Sequence, residues 1–287
     1  MAISNEMLAA RRAAGRPSER LPIVRFREGR SARASDLVVG EEPLELRLAG
    51  ESVAVTMRTP APGQDAELAI GFLVGEAIVR PDQIARVSEC RAADGDGDVV
   101  DVRLRPGARP AQGWQRSFYA TSSCGICGKA SIEAVRVAAG TVAAGPEVEA
   151  EVLSALPERL RTAQRVFDRT GGLHAAGMFE ASGRPLIVRE DVGRHNAVDK
   201  AVGRAAMDGL LPLSAHVLAV SGRASFEIVQ KALVAGIPIV AAVSAPSTLA
   251  VRLAKESGMT LAGFVRNGGF NVYAGGERIA AASDRAG

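Results

Sequence analysis

The chain has 287 residues, of which 47% are hydrophobic and 23% charged, the profile of a globular protein with a sizeable core. Its 3 cysteines are too few for a disulfide framework, and none of its apolar runs approaches the roughly 18 residues of a membrane span. The net charge of +3 is concentrated in the arginines of residues 1–33, which predicts a flexible basic tail at residues 1–20. Few aromatics accompany these arginines and no secretory signal is recognisable, so we expect a cytoplasmic protein without nucleic-acid or membrane partners.

A small α+β domain is predicted at residues 21–110. Alternation of apolar and polar residues along 44–48 and, more weakly, along 53–57 indicates a hairpin with one buried face. The strands of this domain are predicted at 21–27, 44–48, 53–57, 86–91 and 99–104.

Three side chains of this small domain receive specific interpretations. Asp65 is predicted to cap a helix that runs to Val79. Glu76 is assigned to the solvated face of that helix. Cys90 lies on a predicted strand and is interpreted as a small core hydrophobe without chemistry of its own.

Apolar strands and amphipathic helices alternate through residues 111–287. This pattern predicts an α/β domain with parallel strand pairs and helices on both faces of its sheet. In such sheets ligands bind at the carboxyl ends of the strands. Strands are predicted at 215–220, 237–243 and 261–265, and helices at 148–167, 192–207, 224–235 and 247–256.

Two of the cysteines, Cys124 and Cys127, form a C-x-x-C motif that is flanked by glycines and followed by a predicted helix at 129–139. A thiol next to a helix N-terminus is favoured as thiolate, the form that attacks sulfur or binds a metal. The stretch therefore indicates sulfur chemistry, and both cysteines are candidate catalytic residues.

Polar clusters follow several of the apolar strands and open the next predicted helix. Simple capping explains Ser, Asp and Asn at such positions, but cations there oppose the helix macrodipole. A bound phosphate would remove that penalty. We therefore predict that Ser221, Arg223 and His195 bind a phosphate-bearing ligand. The clusters lie at 189–196, 221–225 and 244–248.

A further cluster ends the last predicted strand and contains an Asn-Gly pair. Asn-Gly is typical of a tight hairpin turn, whereas adjacent glycines also permit close approach of the backbone to a ligand. Both interpretations stay open from the residues alone. The cluster comprises Phe264, Val265, Arg266, Asn267, Gly268 and Gly269.

Four ordered motifs in the chain together resemble the formate dehydrogenase accessory proteins, the FdhD family of sulfur carriers. The resemblance begins near Val39 and covers nearly all of the remaining chain. The motifs are S-C-G-I-C-G-K, T-G-G-L-H-A-A-G, E-D-V-G-R-H-N-A-V-D-K and S-G-R-A-S-F-E-I-V-Q-K-A.

The resemblance implies a sulfurtransferase that acts on the molybdenum cofactor. Its members take sulfur from a cysteine desulfurase as a persulfide, here on Cys124. They pass it to the molybdenum of the bis(molybdopterin guanine dinucleotide) cofactor, Mo-bisMGD, which then enters formate dehydrogenase. The cofactor is a bound client, its segment falls on 264–269, and no stably bound metal ion is expected. The family also implies a homodimer and a three-layer, cytidine-deaminase-like fold with a mixed sheet for residues 111–287.

Two rival functions are compatible with the C-x-x-C motif. Cys124, Cys127 and either His174 or His195 would make a zinc ligand set for a hydrolase or a structural zinc protein. Zinc deaminases, however, use H-x-E followed by P-C-x-x-C, and here the glutamate and proline are missing and the order is reversed. A thioredoxin-like oxidoreductase is disfavoured because no clear strand precedes the motif.

Overall fold

The structure is a computed structural model that describes residues 15–91, 98–112 and 140–281. Cys124, Cys127 and the helix predicted at 129–139 lie outside the described residues. The zinc and thioredoxin alternatives depend on the same two cysteines.

The chain enters the described structure through a β-ribbon. Strands β1 (Ser18–Arg27) and β2 (Arg30–Val39) pair antiparallel along their full length. Glu28 and Gly29 connect them, both with positive φ (48° and 76°), the backbone conformation of a tight two-residue hairpin turn. The strand predicted at 21–27 is confirmed, and it begins inside the segment expected to be a tail.

A four-stranded sheet follows, with the strand order β4-β3-β6-β5. Strands β3 and β6 are parallel, and the outer pairs are antiparallel. Leu44, Leu46 and Leu48 are buried while the residues between them are only partly so, which confirms the predicted hairpin and its buried face. The strands are β3 (Glu42–Leu48), β4 (Glu51–Arg58), β5 (Ile84–Arg91) and β6 (Asp98–Leu104).

Helix α1 (Gln64–Gly75) covers this sheet and is shorter than the sequence predicted. It ends before Val79 because Ala77 adopts a left-handed backbone conformation with φ 55°. The predicted cap at Asp65 is wrong. Its carboxylate instead accepts two hydrogen bonds of 2.9 Å from the fully buried guanidinium of Arg58.

Two other interpretations of single side chains are also wrong. Glu76 is not solvated, because its carboxylate accepts from Lys231 at 2.8 Å and from Gln230 at 3.1 Å. A later helix covers that side of α1, which local periodicity does not reveal. Cys90 is exposed rather than buried, since it lies on the outer face of an edge strand.

The second half of the chain is built on a six-stranded mixed sheet with the order β13-β12-β11-β10-β8-β9. Strands β10, β11 and β12 are parallel to one another, as the alternating pattern predicted. The strands are β8 (His174–Glu180), β9 (Pro185–Asp191), β10 (His216–Val220), β11 (Ile239–Ala242), β12 (Thr260–Arg266) and β13 (Gly269–Ala274). A separate short parallel pair consists of β7 (Val148–Glu149) and β14 (Ile279–Ala280).

Helices cover both faces of the six-stranded sheet. On one face, Leu153, Leu156 and Leu160 of α2 pack on the strands. On the other face α4, α5 and α6 share one hydrophobic core with the strands and with α1. The helices are α2 (Ala150–Thr162), α3 (Phe167–Thr170), α4 (Arg194–Met207), α5 (Phe226–Val234) and α6 (Thr248–Glu256).

Helices α1 and α4 cross at two glycines, Gly71 and Gly203. A Cβ atom added to either glycine would overlap a backbone carbonyl of the other helix, at Asp199 or Glu67. The two parts of the chain therefore meet through closely packed helices and a common core. The division at residue 110 stays a prediction.

Candidate functional site

A cleft of about 910 Å³ opens at one edge of the six-stranded sheet. Strands β10, β11 and β12 end at this edge, and the antiparallel strand β8 begins there. One wall is α2, and the opposite side is formed by the strand ends. The cleft therefore lies where the α/β pattern predicts a ligand. Its lining includes Arg161, His174, Ser221, Val243, Arg266 and Gly268.

The Asn-Gly pair forms a tight turn at the rim of this cleft. Arg266 and Gly269 pair across β12 and β13, and Asn267 and Gly268 between them have φ values of 53° and 76°. The hairpin interpretation is therefore confirmed. The turn also lines the cleft, so the ligand-binding interpretation remains compatible with the same geometry.

The six residues of this segment have different positions relative to the cleft. Arg266, Asn267 and Gly268 line it and are exposed. Val265 is fully buried in the core beneath the sheet. The ring centroid of Phe264 lies 5.7 Å from the Arg266 guanidinium, a cation–π contact that helps to hold the arginine at the rim.

Ser221 connects the cleft to the sheet. Its Oγ accepts a hydrogen bond of 2.9 Å from the Ala175 amide, and its own amide donates to the Ala175 carbonyl at 3.0 Å. These two bonds extend the pairing of β8 and β10 by one residue and fix the hydroxyl on the cleft lining. No described residue accepts the hydroxyl hydrogen, so within the described ranges it can be donated to a bound acceptor.

His174 lines the cleft next to Ala175, the residue that pairs with Ser221. It is half-buried, and no residue in the described ranges forms a hydrogen bond with its ring. Burial lowers the pKa of His174, and the positive charges of Arg194 and His195 lower it further. The imidazole is therefore neutral at pH 7, with one nitrogen able to donate and one able to accept.

The other predicted ligand-binding residues, His195 and Arg223, are not part of this lining. His195 Nε2 lies 2.7 Å from a Glu227 carboxylate oxygen and 3.1 Å from Ser225 Oγ. Burial alone would raise the pKa of Glu227, but the hydrogen bond and charge of His195 lower it. Arg223 is exposed. Of the residues predicted to bind the ligand, Ser221 and the turn at 266–268 line the cleft, whereas His195 and Arg223 lie outside its lining.

The cluster at 189–196 holds the two halves of the chain together. The buried Asp191 carboxylate lies 2.6 Å from Lys200 Nζ and accepts from the Thr59 amide at 3.0 Å. Asn196 donates to the Met57 carbonyl at 2.8 Å. Sequence reasoning attributed this cluster to a ligand. The spacing of Asn196 and Lys200, i and i+4 on one helix face, was the available signal for a shared contact.

The described residues contain neither a candidate metal site nor a candidate membrane-spanning helix. Within them no group of three or more His, Cys, Asp and Glu residues could hold a metal ion. Within the same ranges no helix combines the length and apolarity needed to cross a membrane.

The sequence also matches a known protein family. The model of the FdhD/NarQ family matches residues 39–280. The chain belongs to the FdhD/NarQ family. The family match includes the cleft, its rim turn and the C-x-x-C motif.

Several relatives resemble the chain over most of their length. A protein of Streptomyces avermitilis is 56% identical over 275 residues, which cover 93% of this chain and 97% of the relative. A protein of Mycobacterium tuberculosis is 52% identical over 250 residues, covering 83% and 90%. Both are named sulfur carrier protein FdhD.

A solved structure supports the fold. A formate dehydrogenase accessory protein of Desulfotalea psychrophila superposes with a TM-score of 0.72, at 24% identity, over 92% of this chain and 100% of that one. This likeness shows that the arrangement of sheets and helices belongs to a known fold.

Proposed function

We propose that this FdhD/NarQ protein carries sulfur for formate dehydrogenase. It accepts sulfur from a cysteine desulfurase as a persulfide on Cys124 and transfers it to the molybdenum of Mo-bisMGD. The observation that carries this proposal is the family match across 39–280, which contains both the C-x-x-C motif and the open cleft. Relatives that this chain matches over nearly their whole length are named sulfur carriers.

The chemistry of the first transfer requires only a thiolate. The Cys124 thiolate attacks the terminal sulfur of the donor's persulfide, and a new sulfur–sulfur bond forms as the donor's own bond breaks. The donor cysteine leaves as a thiolate. Delivery of the terminal sulfur breaks the sulfur–sulfur bond and returns Cys124 to its thiolate form. The acceptor molybdenum supplies the two electrons that turn this sulfur into a sulfido ligand, and the metal is itself oxidised by two electrons. Cys127 can take over the sulfur by the same exchange.

The cleft suits the phosphates and guanines of this substrate. Arg266 offers a charged bidentate donor at the rim, and Ser221 offers a hydroxyl. The adjacent turn residues, Asn267 and Gly268, expose backbone at the same place. The neutral ring of His174 adds a donor and an acceptor without adding charge. We further propose that the mixed sheet with its two helical layers is the cytidine-deaminase-like domain, and that the protein is a cytoplasmic homodimer.

Sulfur mapping tests the function directly. After incubation with a cysteine desulfurase and cysteine, mass spectrometry of the full-length protein should find one added sulfur on Cys124 or Cys127. Cys124→Ala should abolish maturation of formate dehydrogenase. Cys90→Ala is the matched control, because Cys90 is an exposed thiol outside the motif, and it should load and mature normally.

Two results would contradict the carrier function. One is a chain that acquires sulfur on neither motif cysteine while the desulfurase turns over. The other is stoichiometric zinc in protein purified without added metal, with the metal lost in Cys124→Ala, which would support the zinc alternative.

Nucleotide binding tests the cleft separately. GDP carries the phosphate and guanine groups of the substrate, and Arg266→Ala should weaken its binding by about ten-fold or more, the effect of losing a charge-assisted hydrogen bond. Arg223→Ala is the control, since Arg223 is exposed but does not line the cleft. Isothermal titration calorimetry measures both. An equal loss in the two variants would contradict the cleft as the binding place.

A further inference from the structure

The β1–β2 ribbon extends from the rim of the cleft and is exposed along most of its length. Its base contacts the body near the cleft lining: the Arg169 side chain donates to Ser18 Oγ at 3.4 Å, and Val39 packs beside Gly172. With ten residues per strand, the ribbon reaches roughly 30 Å beyond its base. The base of the ribbon therefore lies beside the cleft, and its tip projects away from the body of the protein.

The tip of the ribbon, defined here as residues 24–33, exposes apolar side chains. Val24 is 60% exposed and Phe26 is 73% exposed. A two-stranded hairpin is marginally stable by itself, and one that lacks a packing partner gains from burying such side chains against another surface. The tip therefore has the composition of a docking element.

The tip is also basic. It carries Arg25, Arg27, Arg30 and Arg33 against the single carboxylate of Glu28. The ion pair of Arg25 with Asp36 is long, at 3.9 Å, and both side chains are largely exposed. Such a surface pair contributes little, so the arginines can pair with an acidic surface. Exposed aromatic and arginine side chains together are typical of interface hot spots.

We propose that the ribbon tip docks into an acidic groove on the protein that donates sulfur, with Phe26 as the apolar anchor. This inference rests on the proposed sulfur-carrier function. Sulfur loading requires the donor protein to come close enough for its own cysteine to reach the carrier, and a docking arm beside the cleft would hold the donor there.

The test compares two triple variants of the full-length chain. The ribbon variant is Phe26→Ser, Arg27→Glu and Arg30→Glu. The matched control is Val55→Ser, Arg105→Glu and Arg252→Glu, which replaces one apolar side chain by serine and two arginines by glutamate at exposed positions outside the ribbon. Binding to the cysteine desulfurase is measured by biolayer interferometry at low and high salt, and sulfur loading by mass spectrometry. A thermal melt verifies that both variants fold.

We expect the ribbon variant to bind the desulfurase at least about ten-fold more weakly than the wild type, and to load sulfur correspondingly slowly. Wild-type binding should weaken with salt, and the control variant should behave as the wild type. Equal binding and loading by the two variants overturns the ribbon proposal and leaves the carrier function standing. A wild type that acquires no sulfur instead overturns the carrier function.

Two other occupants would show distinct results. If the ribbon pairs with a second copy, the ribbon variant changes its oligomeric state in light scattering and keeps its affinity for the desulfurase. If it binds nucleic acid instead, a labelled duplex binds the wild type and not the ribbon variant, and the variant keeps its affinity for the desulfurase. Either result overturns the proposal.

Discussion

Gly203→Ala should destabilise the protein by about 3 kcal/mol or more, although alanine stabilises most helices relative to glycine. The reason is the crossing of α1 and α4. The new methyl group would overlap the backbone carbonyl oxygen of Glu67, which cannot rotate away as a side chain can. The helices must then separate, and the common core opens between them. Urea denaturation followed by circular dichroism measures the loss.

Gly269→Ala is the matched control for that substitution. The same atom would be added there, but nothing lies within 4 Å of it and the backbone needs no positive φ. Its stability should stay within about 0.5 kcal/mol of the wild type. A stability of Gly203→Ala that matches this control would show that the two helices do not cross as closely as described.

Lys231→Met should cost about 3–5 kcal/mol, the effect of leaving buried carboxylates without their cation. Lys231 is only 2% exposed, and its ammonium lies 2.7 Å from Asp199 and 2.8 Å from Glu76. Burial by itself would lower the pKa of Lys231, but the two carboxylates raise it above the ordinary value. The lysine therefore stays charged throughout the neutral range. Lys255→Met is the control, because Lys255 is exposed on α6.

The stability that Lys231→Met loses should depend on pH in a definite direction. Burial raises the pKa of Asp199 to about 6 even beside the lysine. Without the lysine the folded variant holds a proton that the unfolded chain has released, so its stability falls as pH rises through about 4 to 6 and beyond. The deficit relative to the wild type should thus be smaller at about pH 5 than at about pH 8. A deficit that grows on acidification would contradict the buried ion pair.

The sequence predicted the strands and helices well where one face of an element is buried and the other is not. Leu44, Leu46 and Leu48 show the reason, since period-two alternation reports burial directly. Glu76 shows the limit. Its charge and position on α1 favour solvent, and only the later helix α5 supplies Lys231 and Gln230 as partners.

The candidate site was also predicted only in part, because local sequence patterns do not show contacts with distant parts of the chain. The position of the cleft follows from the α/β pattern, and Ser221 and Arg266 were found at the ends of apolar strands. The contacts that the cluster at 189–196 makes within the chain were not predicted, because one partner, the Thr59 amide, lies 132 residues before Asp191. Gly71 and Gly203 could have indicated the close helix crossing from the sequence. A glycine within a helix lowers its stability by about 1 kcal/mol relative to alanine, and such a glycine usually has a packing reason.

The two-residue connection between β12 and β13 makes the rim of the cleft rigid. Both of its residues are fixed in left-handed conformations, and the pairing of Arg266 with Gly269 closes the hairpin directly behind them. A rim of this kind keeps one conformation and does not fold over the cleft. A connection longer by a few residues would therefore give this edge of the sheet a mobility that the two-residue turn denies it.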